Sequence, residues 1–206
     1  MQSETARVEA FSDGVFAIAI TLLILEIKIP SPDQGNLIVT LLRQWPSYLA
    51  FLLSFAYIGV MWINHHRMFT LIRRCTDALL VLNLLLLLGV TAVPFPTAVL
   101  AAHLGGPGER TAALVYNSTF VVIAIFFNLL WRYAAKHCLL QEQAALKTAQ
   151  QVSVQYMVGP LMYGACLVTA LFNVRASVAA NVALALFFAL PPTVVRKLGL
   201  GQPMDQ

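Results

Sequence analysis

Residues 7–25 read RVEAFSDGVFAIAITLLIL, and this stretch decides the fold. From Gly14 onward it is apolar, and a helix of about 20 such residues crosses a bilayer. Arg7, Glu9 and Asp13 nevertheless stand at its start, where each ionisable group in a membrane segment costs about 2.5–3.5 kcal/mol. They could mark a helix end at the lipid headgroups, with the acids favoured by the helix dipole. Alternatively, they are buried contacts to other helices.

The composition of the whole chain also indicates a membrane protein. Of its 206 residues, 59% are hydrophobic and only 11% are charged, and the mean hydropathy is +0.77. Soluble domains are roughly 25% charged, so the bilayer must be the main solvent of this all-α chain. The sequence has no HExxH, no paired acids and no metal cluster within its apolar segments. We therefore expect no enzyme, no cofactor and no nucleic-acid partner.

Six apolar segments are predicted to cross the membrane and to form one domain over residues 1–206. Turn-forming residues separate them, and Pro94-Phe95-Pro96 is expected to kink or break the third. The predicted spans are about 8–27, 48–69, 78–100, 111–133, 154–172 and 177–195.

The placement of Lys and Arg predicts the orientation. With six spans, nine of these residues fall on the side that holds both termini, and four fall on the other side. Because cytoplasmic loops carry the excess of positive charge, both termini are expected in the cytoplasm. The protein itself is expected in the inner (plasma) membrane. The four on the outer side are Lys28, Arg43, Arg110 and Arg175.

Helical spacing divides the first span into two faces. At 100° per residue, Ile18, Leu22 and Leu25 share a narrow apolar stripe that Thr21 borders. Ser12 and Asp13 each point more than about 100° from the centre of this stripe, on opposite flanks. These two polar side chains are therefore expected to face other helices.

Two motifs resemble those of the transmembrane protein 175 family, the endolysosomal potassium channels and their bacterial members. The first is Arg7-x-x-x-Phe11-Ser12-Asp13 with the apolar run and threonine that follow it. The second is WINHHRMF at residues 62–69, which is similar to the W-x-x-H-x-R-x-F pattern of that family. The six-span plan is also that of a single repeat of the family.

The resemblance implies a tetrameric cation channel in which four first helices line a central pore without a TVGYG filter. Potassium would pass a hydrophobic constriction formed by Ile18, Leu22 and Leu25, with Thr21 close to the pathway and no ion tightly bound. The resemblance also implies a polar network that braces the pore helix at its cytoplasmic end. Its members would be Arg7, Phe11, Ser12, Asp13, Trp62, Asn64 and His65.

Several of these residues have a simpler interpretation. An aliphatic stripe can face lipid or the protein core, and Thr21 can bond a carbonyl one turn earlier. Glu26 can attract cations or sit among headgroups. Adjacent side chains on a helix diverge by 100°, so His65 and His66 of one chain are not expected to share a metal.

Three functions remain open from the sequence. The first is a potassium-selective or potassium-preferring channel. The second is a proton channel of the same architecture, in which His65 and Asp13 would titrate. The third is a secondary transporter, for which the proline break at 94–96 is suggestive but no charged site at the membrane midplane is found.

Overall fold

The computed structural model of the chain describes residues 5–137, 139–140 and 147–189. The regular structure within these ranges is helical, apart from one isolated bridge between Ile72 and Leu140. This confirms the predicted all-α class. The α-helices are α1 (Ala6–Leu22), α2 (Leu37–Arg43), α3 (Trp45–Leu71), α4 (Asp77–Ala92), α5 (Pro94–His103), α6 (Glu109–Lys136), α7 (Lys147–Phe172) and α8 (Val174–Ala189).

The lengths of the helices are those of membrane spans. Four stretches, Ala6–Glu26, Trp45–Leu71, Asp77–His103 and Glu109–Lys136, are long and apolar enough to cross a bilayer. Shorter apolar stretches follow at Gly159–Phe172 and Val174–Leu186. These six stretches overlap the six predicted spans, and seven of the eight α-helices in the described part of the chain build them, since α2 lies outside every stretch. Residues 190–195, the end of the sixth predicted span, lie outside the described residues.

The first span changes its helical form near its far end. α1 ends at Leu22, and a 3₁₀ helix continues it from Leu23 to Glu26. The face buried against the rest of the chain carries Ser12, Phe16, Ala19 and Leu23. Because these positions recur every three or four residues, one side of α1 packs inward. Its partners there are α3 and α4.

The third span is interrupted where the prolines predict it. Pro94 has no N–H for the carbonyl of Val90, and this carbonyl accepts the N–H of Val93 at 3.2 Å instead. Val93 keeps helical dihedral angles, φ −54° and ψ −38°, so the chain continues in the same sense. The carbonyl of Val93 accepts both the N–H and the hydroxyl of Thr97, at 3.1 and 2.8 Å. The break therefore divides one span into α4 and α5.

The short helix α2 was not predicted. It follows Asn36, whose side-chain oxygen accepts the N–H groups of Ile38 and Val39 at 2.9 and 3.5 Å. None of its residues is buried. Asparagine directly before an apolar run is a helix-start signal, and this signal could have identified the element from the sequence.

Buried hydrogen bonds join α3 to the outer helices. Ser54 contacts Thr97 of α5 at 2.7 Å and Tyr116 of α6 at 3.0 Å. One turn further along, the Tyr57 hydroxyl donates to the Asn181 side chain of α8 at 2.9 Å. Interhelical hydrogen bonds in membranes are worth about 0.6 kcal/mol on average, so these bonds fix which faces meet more than they add stability.

Gly89→Ala is expected to destabilise the protein by about 1–3 kcal/mol, because overpacking forces side chains and backbone to shift. A Cβ at this position of α4 would lie 2.8 Å from Cγ1 of Ile123 on α6. Thermal unfolding in detergent measures the effect. Gly59→Ala is the matched control, since its Cβ would meet nothing within 4 Å in the chain. Equal stability of the two variants would contradict the close approach, and Ile123→Ala should restore the first variant.

Candidate functional site

The apolar stripe of α1 is exposed in the single chain. Ile18, Leu22 and Leu25 are 60%, 42% and 63% exposed, although the opposite face of the same helix is buried. The stripe thus covers no other part of the described chain. An apolar face of this kind in a membrane protein meets lipid, another subunit or the water of a pore.

The 3₁₀ helix sharpens this stripe. In a 3₁₀ helix, side chains three residues apart eclipse one another, whereas they lie 60° apart in an α-helix. Leu25 therefore comes directly above Leu22 along the axis. The distance along the helix from Ile18 to Leu25 is about 12 Å. The sequence placed these residues on one face, but it did not predict this closer alignment.

Thr21 satisfies its hydroxyl within its own helix. The Oγ1 atom donates to the carbonyl of Ile18 at 2.9 Å, and the side chain is exposed. The hydrogen bond to a carbonyl about one turn earlier is thus present, and the place of Thr21 near the ion pathway stays a prediction. Its oxygen lone pairs nevertheless stay accessible beside the stripe. Beyond it, Glu26 pairs with Lys28 at 3.9 Å at the end of the span.

A directional chain of hydrogen bonds holds the buried side of α1. Ser12 donates to the carbonyl of Val8 at 2.8 Å, so its oxygen accepts the Asn83 side-chain N–H at 3.0 Å. The amide oxygen of Asn83 must then face His65, whose Nε2 lies 2.9 Å away. That nitrogen is therefore the one that carries the ring proton. Ser12, His65 and Asn83 thus join α1, α3 and α4.

The imidazole of His65 is enclosed by aromatic rings. Its centroid lies 4.4 Å from that of Phe69 in a stacked arrangement and 5.4 Å from that of Phe16 on α1. The residue has no exposed surface, and its Nδ1 has no hydrogen-bond partner among the described residues. Packing and the bond to Asn83 therefore fix the ring completely.

A second pair of contacts lies at the more exposed edge of the same helices. The indole N–H of Trp62 donates to Asp13 Oδ1 at 2.9 Å. One turn along, His66 Nδ1 lies 3.5 Å from Glu9 Oε1, so this pair becomes an ion pair when the imidazole is protonated. Asp13 therefore has a hydrogen-bond partner on α3, whereas Glu9 Oε1 accepts no hydrogen bond from the described residues and lies only within ion-pair distance of His66. His65 and His66 diverge, as expected for neighbours on a helix.

The other three predicted members of the network are not seen in these contacts. Arg7 and Phe11 are exposed, and Arg7 forms no hydrogen bond or ion pair with the described residues. Asn64 is half-buried one residue before His65. The structure therefore brings Ser12, Asp13, Trp62 and His65 together, and the roles of the other three stay predictions.

Asn83 is the member that the resemblance did not supply. Its side chain makes two interhelical hydrogen bonds, one with Ser12 of α1 and one with His65 of α3. An asparagine in the middle of an apolar span was the available signal, because polar groups in membranes need buried partners.

The comparisons with known proteins agree with this geometry. The family described as endosomal/lysosomal potassium channel TMEM175 matches residues 7–94, which contain both motifs and Asn83. A potassium channel of Chamaesiphon minutus is 51% identical over 193 residues, covering 92% of this chain and 95% of that protein. The human endosomal/lysosomal proton channel TMEM175 is 36% identical over 141 residues, 64% of this chain and 28% of its own length.

A solved structure shares the architecture as well. The crystal structure of a lysosomal potassium-selective channel TMEM175 homolog from Chamaesiphon minutus superposes with a TM-score of 0.84 at 49% identity. The match covers 91% of this chain and 97% of that one. The chain shares two motifs and the helical plan with these proteins, and it is 51% identical to one of them over 92% of its length. It therefore belongs to the TMEM175 family.

Proposed function

We propose that this protein is a potassium channel that conducts passively through a pore lined by four copies of α1. The exposed apolar stripe at Ile18, Leu22 and Leu25 supports this most directly, because nothing within the described chain covers it. The Chamaesiphon minutus relative is named a potassium channel, which supports the choice of ion. No chemical reaction and no cofactor are proposed.

Fourfold assembly as a homotetramer turns the stripe into a pore. Rings of Ile18, Leu22 and Leu25 then form a hydrophobic constriction that gates by excluding water. Aliphatic groups offer potassium no ligands, so selectivity rests on pore width and partial dehydration. Thr21, whose oxygen is exposed beside the stripe, is the polar group nearest the passing ion. The network at Ser12, Asn83 and His65 keeps each α1 in position.

The protein is proposed to lie in the plasma (inner) membrane with both termini in the cytoplasm. The excess of Lys and Arg on the terminal side supports this orientation. Arg67, Arg73 and Arg132 are exposed at the α3 and α6 ends that face this side. The start of α1 is then the inner mouth, and the 3₁₀ helix is the outer one.

Flux through liposomes tests the function. Purified protein is reconstituted with potassium inside and sodium outside, then with the two ions exchanged, and empty liposomes serve as the control. We expect potassium to leave faster than sodium without a coupling ion. Saturable flux that requires a second ion would indicate a transporter, and no metal-ion flux would contradict the proposal.

A proton channel of the same architecture is the second candidate. The human relative is named a proton channel, and two ionisable side chains lie where α1 meets α3, Asp13 on α1 and His65 on α3. The same liposomes under a pH gradient separate the two functions. A proton leak that survives when potassium and sodium fluxes are both absent would favour this candidate over a potassium channel.

A further inference from the structure

A cavity of about 450 Å³ lies where the α5–α6 connection meets the α7–α8 connection. Its walls carry Arg110 from the first turn of α6 and Arg175 from the first turn of α8. Phe172, the last residue of α7, forms an apolar wall beside them. Arg110 and Arg175 are 65 positions apart in the sequence, and the fold brings them to the same cavity.

Neither guanidinium group of this cavity has an acidic partner. The ion pairs of the described residues are Lys28–Glu26 and His66–Glu9, and they involve neither arginine. The acid on the wall, Glu109, directs Oε2 to the N–H of Gly105 at 3.1 Å. The cavity therefore holds two exposed arginines and one carboxylate, which keeps its charge but forms no ion pair with either arginine.

Helix stability does not explain the positions of these arginines. Both side chains stand in the first turn of a helix, where the macrodipole opposes a cation. An anion held between them would turn this unfavourable arrangement into a favourable one. The planar guanidinium group binds phosphate oxygens through two parallel hydrogen bonds, so a phosphate group suits two such forks.

The depth of the cavity in the membrane further limits which phosphate-bearing ligands can reach it. The 28 residues of α6 extend about 42 Å, whereas the hydrocarbon core is about 30 Å thick. The first turn of α6 thus reaches the headgroup layer. Phe172 is 81% exposed beside the cavity, where an acyl chain would pack.

We propose that Arg110 and Arg175 form a site for a phosphate group at the outer ends of α6, α7 and α8. An anionic phospholipid headgroup or free inorganic phosphate can supply this group. The site is separate from the pore stripe and from the Ser12–Asn83–His65 network.

Native mass spectrometry of the full-length protein in detergent tests the site, with phosphatidylglycerol and phosphatidylcholine as added probes. We expect Arg110→Gln/Arg175→Gln to reduce phosphatidylglycerol adducts at least about fivefold, because both charge-assisted forks are removed. Lys28→Gln/Arg43→Gln is the matched control, since it removes two cations from the same side of the membrane but outside the cavity. Both pairs are exposed, and unfolding temperatures verify that each variant is folded.

Added inorganic phosphate shows whether a lipid headgroup or free phosphate occupies the site. Phosphatidylglycerol adducts that persist in millimolar phosphate and depend on the arginine pair indicate the lipid headgroup. A rise in unfolding temperature with inorganic phosphate alone, absent in the Arg110→Gln/Arg175→Gln variant, indicates free phosphate. If this variant and the control lose lipid and phosphate binding equally, or neither loses any, the proposed site is wrong.

Discussion

Ile18→Asn is expected to raise passive potassium flux through reconstituted protein about tenfold, since 1.4 kcal/mol off a barrier is a factor of ten in rate. In the proposed tetramer the substitution would place four amides in the ring that we propose excludes water. Each buried CH₂ group contributes about 0.8 kcal/mol to the avoidance of water. Hydrating only part of the ring therefore lowers the barrier by more than the roughly 1.4 kcal/mol that a tenfold increase in flux requires. The ratio of potassium to sodium flux is expected to fall at the same time.

Leu25→Ala extends the test to the outer end of the stripe. Shortening four leucines widens the ring without adding a polar group, so a smaller increase in flux is expected. Leu161→Ala is the matched control, because this leucine is also exposed but lies on α7, which does not pack against α1. If the potassium flux through both stripe variants equals that of this control, α1 does not line the pore.

Asn83→Leu is expected to lower the stability of the protein by about 2–5 kcal/mol. The substitution leaves the Nε2 proton of His65 without an acceptor and removes the amide that bonds Ser12, and each buried group left unsatisfied costs about 1–3 kcal/mol. This penalty exceeds the average net value of a membrane hydrogen bond, about 0.6 kcal/mol, because the partners stay buried. An unfolding temperature in detergent lower by about 4–20 °C is the corresponding observation, at about 2–4 °C for each kcal/mol in a chain of this length.

A triple variant makes this prediction specific to the hydrogen-bond chain. Replacing all members by apolar groups removes the unsatisfied polar atoms, which is nearly neutral when shape is kept. Ser12→Ala/His65→Phe/Asn83→Leu is therefore expected to recover most of the stability that Asn83→Leu loses. Asp13→Asn is a mild comparison, since its amide oxygen can still accept the N–H of Trp62. If the triple variant is less stable than Asn83→Leu, the loss comes from packing and not from the unsatisfied groups.

Much of α1 could be predicted from its sequence because helical periodicity fixes directions without knowledge of the partners. Ser12 points more than about 100° from the centre of the apolar stripe, and in the structure it is buried while Ile18 and Leu25 are exposed. The prolines at 94 and 96 likewise determine the break locally, through N–H groups that the chain lacks.

The remaining features depend on contacts that no local pattern records. Ser12 and Asn83 are 71 positions apart, and only the packing of α1 against α4 makes them partners. The 3₁₀ helix at 23–26 has an aliphatic sequence that is equally suited to an α-helix, and it packs against α3 and α5. Arg7 belongs to the motif but is exposed and forms no hydrogen bond or ion pair with the described residues.

The fixed direction of the hydrogen bonds around Asn83 makes one imidazole a natural spectroscopic reporter. Ring nitrogens with and without a proton have well-separated ¹⁵N chemical shifts, and the chain from Ser12 assigns the proton of His65 to Nε2. Nδ1 accepts nothing from the described residues, so its shift is that of a bare lone pair. A displacement of α1 that freed Ser12 would let the Asn83 amide turn and change both shifts. Movement of the pore helix could then be followed in a membrane through these ¹⁵N shifts, without attaching a chemical probe to the protein.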